Sequence, residues 1–128
     1  MQPNHTAAQR KLLAAEAIRI GQINLARSRV ATEEIRKYAL DNKLDVHLIQ
    51  KPYTHKNRVT GLGPGARFVQ KNHGTPWAAI AMYKEDCTVV HLKYVTTTEL
   101  AVIHIDTGTI KVNLVSLYCK VAQETKKK

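Results

Sequence analysis

A chain of 128 residues with 44% hydrophobic content is long enough for one domain with a real core, since a chain of this size hides about two-thirds of its unfolded surface. Its 20 lysines and arginines against 10 acids give a net charge of +10; Lys126, Lys127 and Lys128 supply only three of these charges, so the body itself is basic and suited to polyanions. The composition excludes an extended disordered chain, two cysteines exclude a disulfide framework, and no apolar run reaches membrane-spanning length.

In chain order, residues 1–17 form a polar, Ala-rich segment with a short helix expected over 7–16. Lys11 and Glu16 interrupt the early apolar stretch, so it does not read as a signal peptide, and an intracellular protein is expected. Residues 18–25 alternate apolar with small or polar side chains, as a strand does. A helix follows, with Thr32 as its expected cap, Glu33 and Glu34 complementing its dipole, and Ile35, Tyr38, Ala39 and Leu44 as its inward stripe. Asp41-Asn42-Lys43 ends it, and residues 45–50 read as a buried strand. Strand, helix and strand predict a β-α-β unit with parallel strands.

Residues 52–76 are loop-like and hold three of the four prolines, with a short strand expected at 66–69. Strands are expected at 78–83, 88–95, 100–106 and 110–119, the last two joined by a turn at Asp106-Thr107-Gly108-Thr109. Residues 122–128 form a basic tail. The fold class is therefore α/β with one early helix and much strand.

Several side-chain groups could carry chemistry. Gly61-Leu62-Gly63-Pro64-Gly65 is glycine-rich but lacks the lysine and serine of a phosphate loop, and it reads as a flexible turn. Cys87, His91, His104 and Cys119 could be drawn as a zinc set; their spacing matches no compact signature, and strand residues packed in a core account for them. His55, Lys56, Arg58, Arg67, Lys71 and His73 crowd the long loop and read equally as a solvated surface or as contacts to a nucleic-acid backbone.

Three segments carry a more specific pattern: Gln22-Ile23-Asn24-Leu25-Ala26-Arg27-Ser28, Asp45-Val46-His47-Leu48-Ile49-Gln50-Lys51-Pro52-Tyr53, and Val115-Ser116-Leu117-Tyr118-Cys119. Their order and spacing over residues 18–121 resemble the endonuclease domain of non-LTR retrotransposons, within the endonuclease/exonuclease/phosphatase superfamily that includes the apurinic endonucleases. The Arg27-Ser28 pair and the Gln50-Lys51-Pro52-Tyr53 segment are most similar to insect elements that insert at defined targets. The resemblance implies the N-terminal half of a DNase I-like, four-layer αββα sandwich. It implies DNA nicking by magnesium-dependent phosphodiester hydrolysis, with Asn24 and Tyr118 as the matched catalytic positions. The family's metal-binding glutamate falls at Lys51, and an ammonium offers no lone pair to magnesium. The later Asp-x-Asn and Asp-His motifs have no counterpart. The expectation is a truncated, catalytically inactive domain that holds no magnesium and contacts DNA weakly through Arg27, Arg29, Lys51, Arg58, Arg67 and Lys71. It would act in the nucleus if functional and would self-associate through an uncovered sheet. A basic module that binds nucleic acid without catalysis, or a domain completed by a partner chain, is the alternative.

Overall fold

The computed structural model describes residues 17–119. The expected helix over 7–16 and the basic tail lie outside the described residues.

The first strand, β1 (Ile20–Asn24), leads into helix α1 (Arg29–Asp41), which returns the chain to β2 (Val46–Gln50). β1 and β2 pair in parallel, from Ile20 beside Val46 to Asn24 beside Gln50, as a β-α-β unit requires. The helix begins four residues earlier than the Thr32 cap predicted. Ser28 is the N-cap, and its hydroxyl accepts from the Ala31 amide at 3.0 Å. Thr32 lies inside the helix, buried, with its hydroxyl donating to the Ser28 carbonyl. Glu33 and Glu34 thus fall beyond the first turn, where the dipole has little effect. Ile35 and Ala39 face inward as expected, whereas Tyr38 is 57% exposed because Thr32 takes the place on the buried stripe. Asn42 caps the C-terminus.

Within the long connection, β3 (Thr54–His55) and β4 (Arg58–Val59) form a small hairpin around Lys56 and Asn57. Both turn residues have positive φ, 50° and 64°, as a two-residue hairpin turn demands. β5 (Arg67–Val69) follows, close to the short strand expected there. Gly61–Gly65 is no loose turn: Leu62 is buried beside Ile35, Ile49 and Ala81. β6 (Ala78–Met82) is antiparallel to both β2 and β5, giving the order β1-β2-β6-β5. Every residue of β6 is buried, because α1 covers one face of this sheet and a second sheet covers the other.

The second sheet is an antiparallel meander of β7 (Thr88–His91), β8 (Leu100–Asp106) and β9 (Lys111–Leu117). Gly108, at φ 97°, makes the β8–β9 turn, and the Asp106 carboxylate accepts from its amide. Period-two alternation sends Ala101, Ile103, Ile105 and Leu114 against Val46, Val69, Ile80 and Met82, which forms the core between the sheets. The layers are α, β, β: an α/β sandwich of the DNase I-like kind. Among the described residues no helix covers the outer face of the second sheet, and Val90, Val115 and Leu117 stand about half exposed there.

Neither cysteine is a buried strand residue. Cys87 is partly exposed just before β7, Cys119 is exposed just after β9, and both are free. His91 faces the inter-sheet side and bonds Thr96, whereas His104 faces outward and bonds Asn113. Strand alternation therefore separates the four drawn zinc residues, and no group of three or more His, Cys, Asp or Glu among the described residues could hold a metal.

Candidate nucleic-acid interface

The strand directions bring five segments to one end of the sandwich: the C-terminal ends of β1, β2 and β9 and the N-terminal ends of β6 and β8. Asn24 and the residues after it make the first corner. Ala26 and Arg27 have φ of 49° and 61°, and Lys51, just after β2, has 48°. Three non-glycine residues in this region at one place represent stored strain, which the surrounding hydrogen bonds must hold. The Asn24 side-chain oxygen accepts from the Ala26 amide at 2.9 Å. The Arg27 amide donates to the Lys51 carbonyl, and the Lys51 amide to the Trp77 carbonyl. Asn24 is thus a positioning residue for the corner that carries Arg27.

Arg27 ties the end together. Its Nη1 donates to the carbonyls of Pro52 and Pro76, at 3.1 and 2.9 Å, and both prolines are fully buried. The guanidinium lies 4.8 Å from the centre of the Trp77 ring. Burial pulls its pKa below the usual arginine value and the Tyr118 phenol partly opposes that; the guanidinium remains charged. Trp77 stacks on Tyr118 with centroids 5.1 Å apart and ring planes 17° from parallel. The Lys51 ammonium sits 5.9 Å from the Trp77 ring centre and 5.7 Å from that of Tyr118. Asn24, Lys51 and Tyr118, named from separate motifs, therefore meet at one end. Trp77 was missed as a site residue, since it marks only a strand boundary in the sequence and its partners are remote along the chain.

Beneath this cluster, Gln50 and Ser116 connect the two sheets. Gln50 Nε2 donates to the Ser116 hydroxyl, which donates to the Ile49 carbonyl, and both side chains are buried.

Charge is divided along the strands. Lys51, Lys71 and Lys93 follow strand ends on the Trp77 side; the β3–β4 hairpin with Lys56 and Arg58 is tied to that side through Gln70 and Thr75. Arg29 opens α1 there and pairs with Glu33 at the surface. Glu99, just before β8, is the carboxylate the sheets bring to this end; it accepts from the Thr98 hydroxyl. Asp41, Asp45, Glu85, Asp86 and Asp106 lie at the opposite end among Arg19, Lys43, Lys84 and Lys111, which balance them, so the surplus positive charge stands on the Trp77 side. Arg67 lies there too, opposite Met82, and donates to the Lys84 carbonyl, so it does not join the other loop cations.

Magnesium takes oxygen ligands and favours carboxylates. The groups gathered here are an amide that holds a turn, two cations and stacked rings, with Glu99 as the carboxylate at the same end. Lys51 itself brings a positive charge and no lone pair to this group, at the position that the resemblance assigns to the family's metal-binding glutamate.

No family profile matches the chain, and no curated protein does. Among solved structures it is similar to the endonuclease domain of TRAS1, a telomere-specific non-LTR retrotransposon, with 32% sequence identity and a TM-score of 0.71. The match covers 81% of this chain and 45% of the solved one, so the chain spans about half the length of that relative. Shared residues and shared fold place the chain with the endonuclease domains of non-LTR retrotransposons.

Proposed function

We propose that this endonuclease-type domain engages a nucleic-acid backbone at its Asn24–Tyr118 end and, with the residues it carries there, does not hydrolyse the phosphodiester. Hydrolysis of this kind draws on a metal ion to neutralise phosphate charge and to activate water. The observation that supports the reading is Lys51, whose ammonium rests against Trp77 and Tyr118 at the position that the resemblance assigns to the family's metal-binding glutamate. Binding draws its support from the cations gathered at this end, with most acids at the other. Contact is to the backbone, weak, non-specific and steeply salt-dependent, because phosphate contacts release counterions and carry no sequence information. Nuclear localisation follows if the domain acts on chromosomal DNA.

Incubation of supercoiled plasmid with the purified chain and magnesium tests the catalytic half of the reading. No nicking is expected from the wild type. Magnesium-dependent nicking that Asn24→Ala abolishes would show the reading to be wrong. Mobility shift at increasing salt tests the binding half, and affinity indifferent to salt would contradict it.

A further inference from the structure

Lys51 is held unlike an ordinary surface lysine. Its backbone is fixed in the left-handed region by two hydrogen bonds, to Arg27 and Trp77. Its side chain is half-buried, and the ammonium leans on two stacked rings. Among the described residues it has no carboxylate partner and no hydrogen-bond acceptor, so its N–H groups are free to meet an incoming anion. Arg27 adds a second positive charge on Trp77 while its Nη1 is held by the two proline carbonyls.

We propose that Lys51 is a fixed phosphate-binding group, donating to a phosphodiester oxygen beside the Trp77–Tyr118 pair, and that binding there needs no divalent ion. This rests on the nucleic-acid reading above. Lysine binds phosphate as a point charge, and an ammonium already placed by ring faces and a locked backbone loses less freedom on binding. An acidic peptide could also meet an ammonium. The adjoining aromatic pair favours a nucleotide polyanion, because the flat face of a base can stack on Tyr118 beside a bound phosphate.

The test is fluorescence anisotropy of a labelled DNA duplex with the full chain over a range of sodium chloride, in EDTA and in magnesium at matched ionic strength. Wild-type affinity is expected to be no higher with magnesium than with EDTA. Lys51→Gln is expected to bind roughly tenfold more weakly at low salt, as for loss of one charge-assisted contact. The magnitude of its salt slope should fall by about 0.9. Lys51→Gly should show the same loss at an unchanged or higher melting temperature, because glycine accepts φ 48° without strain, which separates lost binding from lost folding. Lys111→Gln, at the far end of β9, should bind as the wild type does. If the wild type binds with a steep salt slope but both Lys51 variants match it, or if wild-type binding requires magnesium, the inference falls while the nucleic-acid reading stands. Polyglutamate competing as well as unlabelled DNA would also overturn it. If the wild type fails to bind DNA at all, both fall.

Discussion

Burial moves two titrating side chains in opposite directions, and both changes favour the neutral group. His47 lies beneath α1 with its ring where a Gly21 Cβ would have to be, 2.6 Å away, so glycine at position 21 makes room for it. Its Nδ1 shares a 2.8 Å hydrogen bond with the Tyr83 hydroxyl. Desolvation pulls the His47 pKa below 6.5 and pushes that of Tyr83 up to about 12 from 10.0. The unfolded chain therefore takes up the histidine proton at a higher pH than the folded one, and stability falls as pH drops below 6.5. It also falls as pH rises from 10.0 towards about 12, where the unfolded chain releases the phenol proton first. Thermal melts across pH should show a plateau between these limits. His47→Gln should shallow the acid side, which His91 also feeds because burial and then Lys93 lower its pKa. Tyr83→Phe should shallow the alkaline side; an acid side unchanged by His47→Gln would contradict the assignment. Asn24, Lys51 and Tyr118 could be named together from the sequence because each sits in a short local motif, and the strands bring all three to one end. His47–Tyr83 and Trp77–Tyr118 could not, because each pairs residues that only the folded sheets bring together.

The two sheets are coupled by polar groups as well as by apolar packing. Gln50 and Ser116 are buried at 7% and 0% exposure, and each is satisfied only across the interface. Ser116→Ala would leave Gln50 Nε2 and the Ile49 carbonyl without that partner, at a cost of about 1–3 kcal/mol. For a domain of this size that lowers the melting temperature by about 4 °C or more. A melting temperature within error of the wild type would mean that the bridge contributes nothing. Strand periodicity revealed β1, β2, β6, β8 and β9, and the parallel β1–β2 unit followed from one helix between two strands. The helix start was misread because Thr32-Glu33-Glu34 looks like a cap and first turn, whereas Ser28, one turn upstream, has the extended backbone and makes the bond. The β3–β4 hairpin escaped notice because its turn residues are Lys56 and Asn57, without the glycine that usually signals such a turn.

Among the described residues the sandwich carries its surplus positive charge at one end of the strands and leaves one sheet face uncovered. Its net charge was legible from composition, but the surplus of cations at one end, with acids and cations balanced at the other, appears only once the strand directions are known. That division gives the domain one face for a polyanion and directs Arg67 away from it. Among the described residues nothing covers the outer face of the β7-β8-β9 sheet, where Val90, Val115 and Leu117 surround Val102. An apolar face of this kind favours association. Sedimentation of the purified chain is expected to show concentration-dependent oligomers, and Val115→Lys with Leu117→Lys is expected to return it to monomer. A wild-type monomer at all concentrations would contradict this. The sequence contains a single tryptophan, Trp77, and it sits between Arg27 and Tyr118 with Lys51 alongside, so its emission reports on the proposed contact directly. Titration of the wild-type chain with duplex DNA in EDTA should change Trp77 emission along the same curve as binding, and added salt should reverse it. Binding seen by mobility shift with no change in Trp77 emission would place the nucleic acid elsewhere and contradict the account.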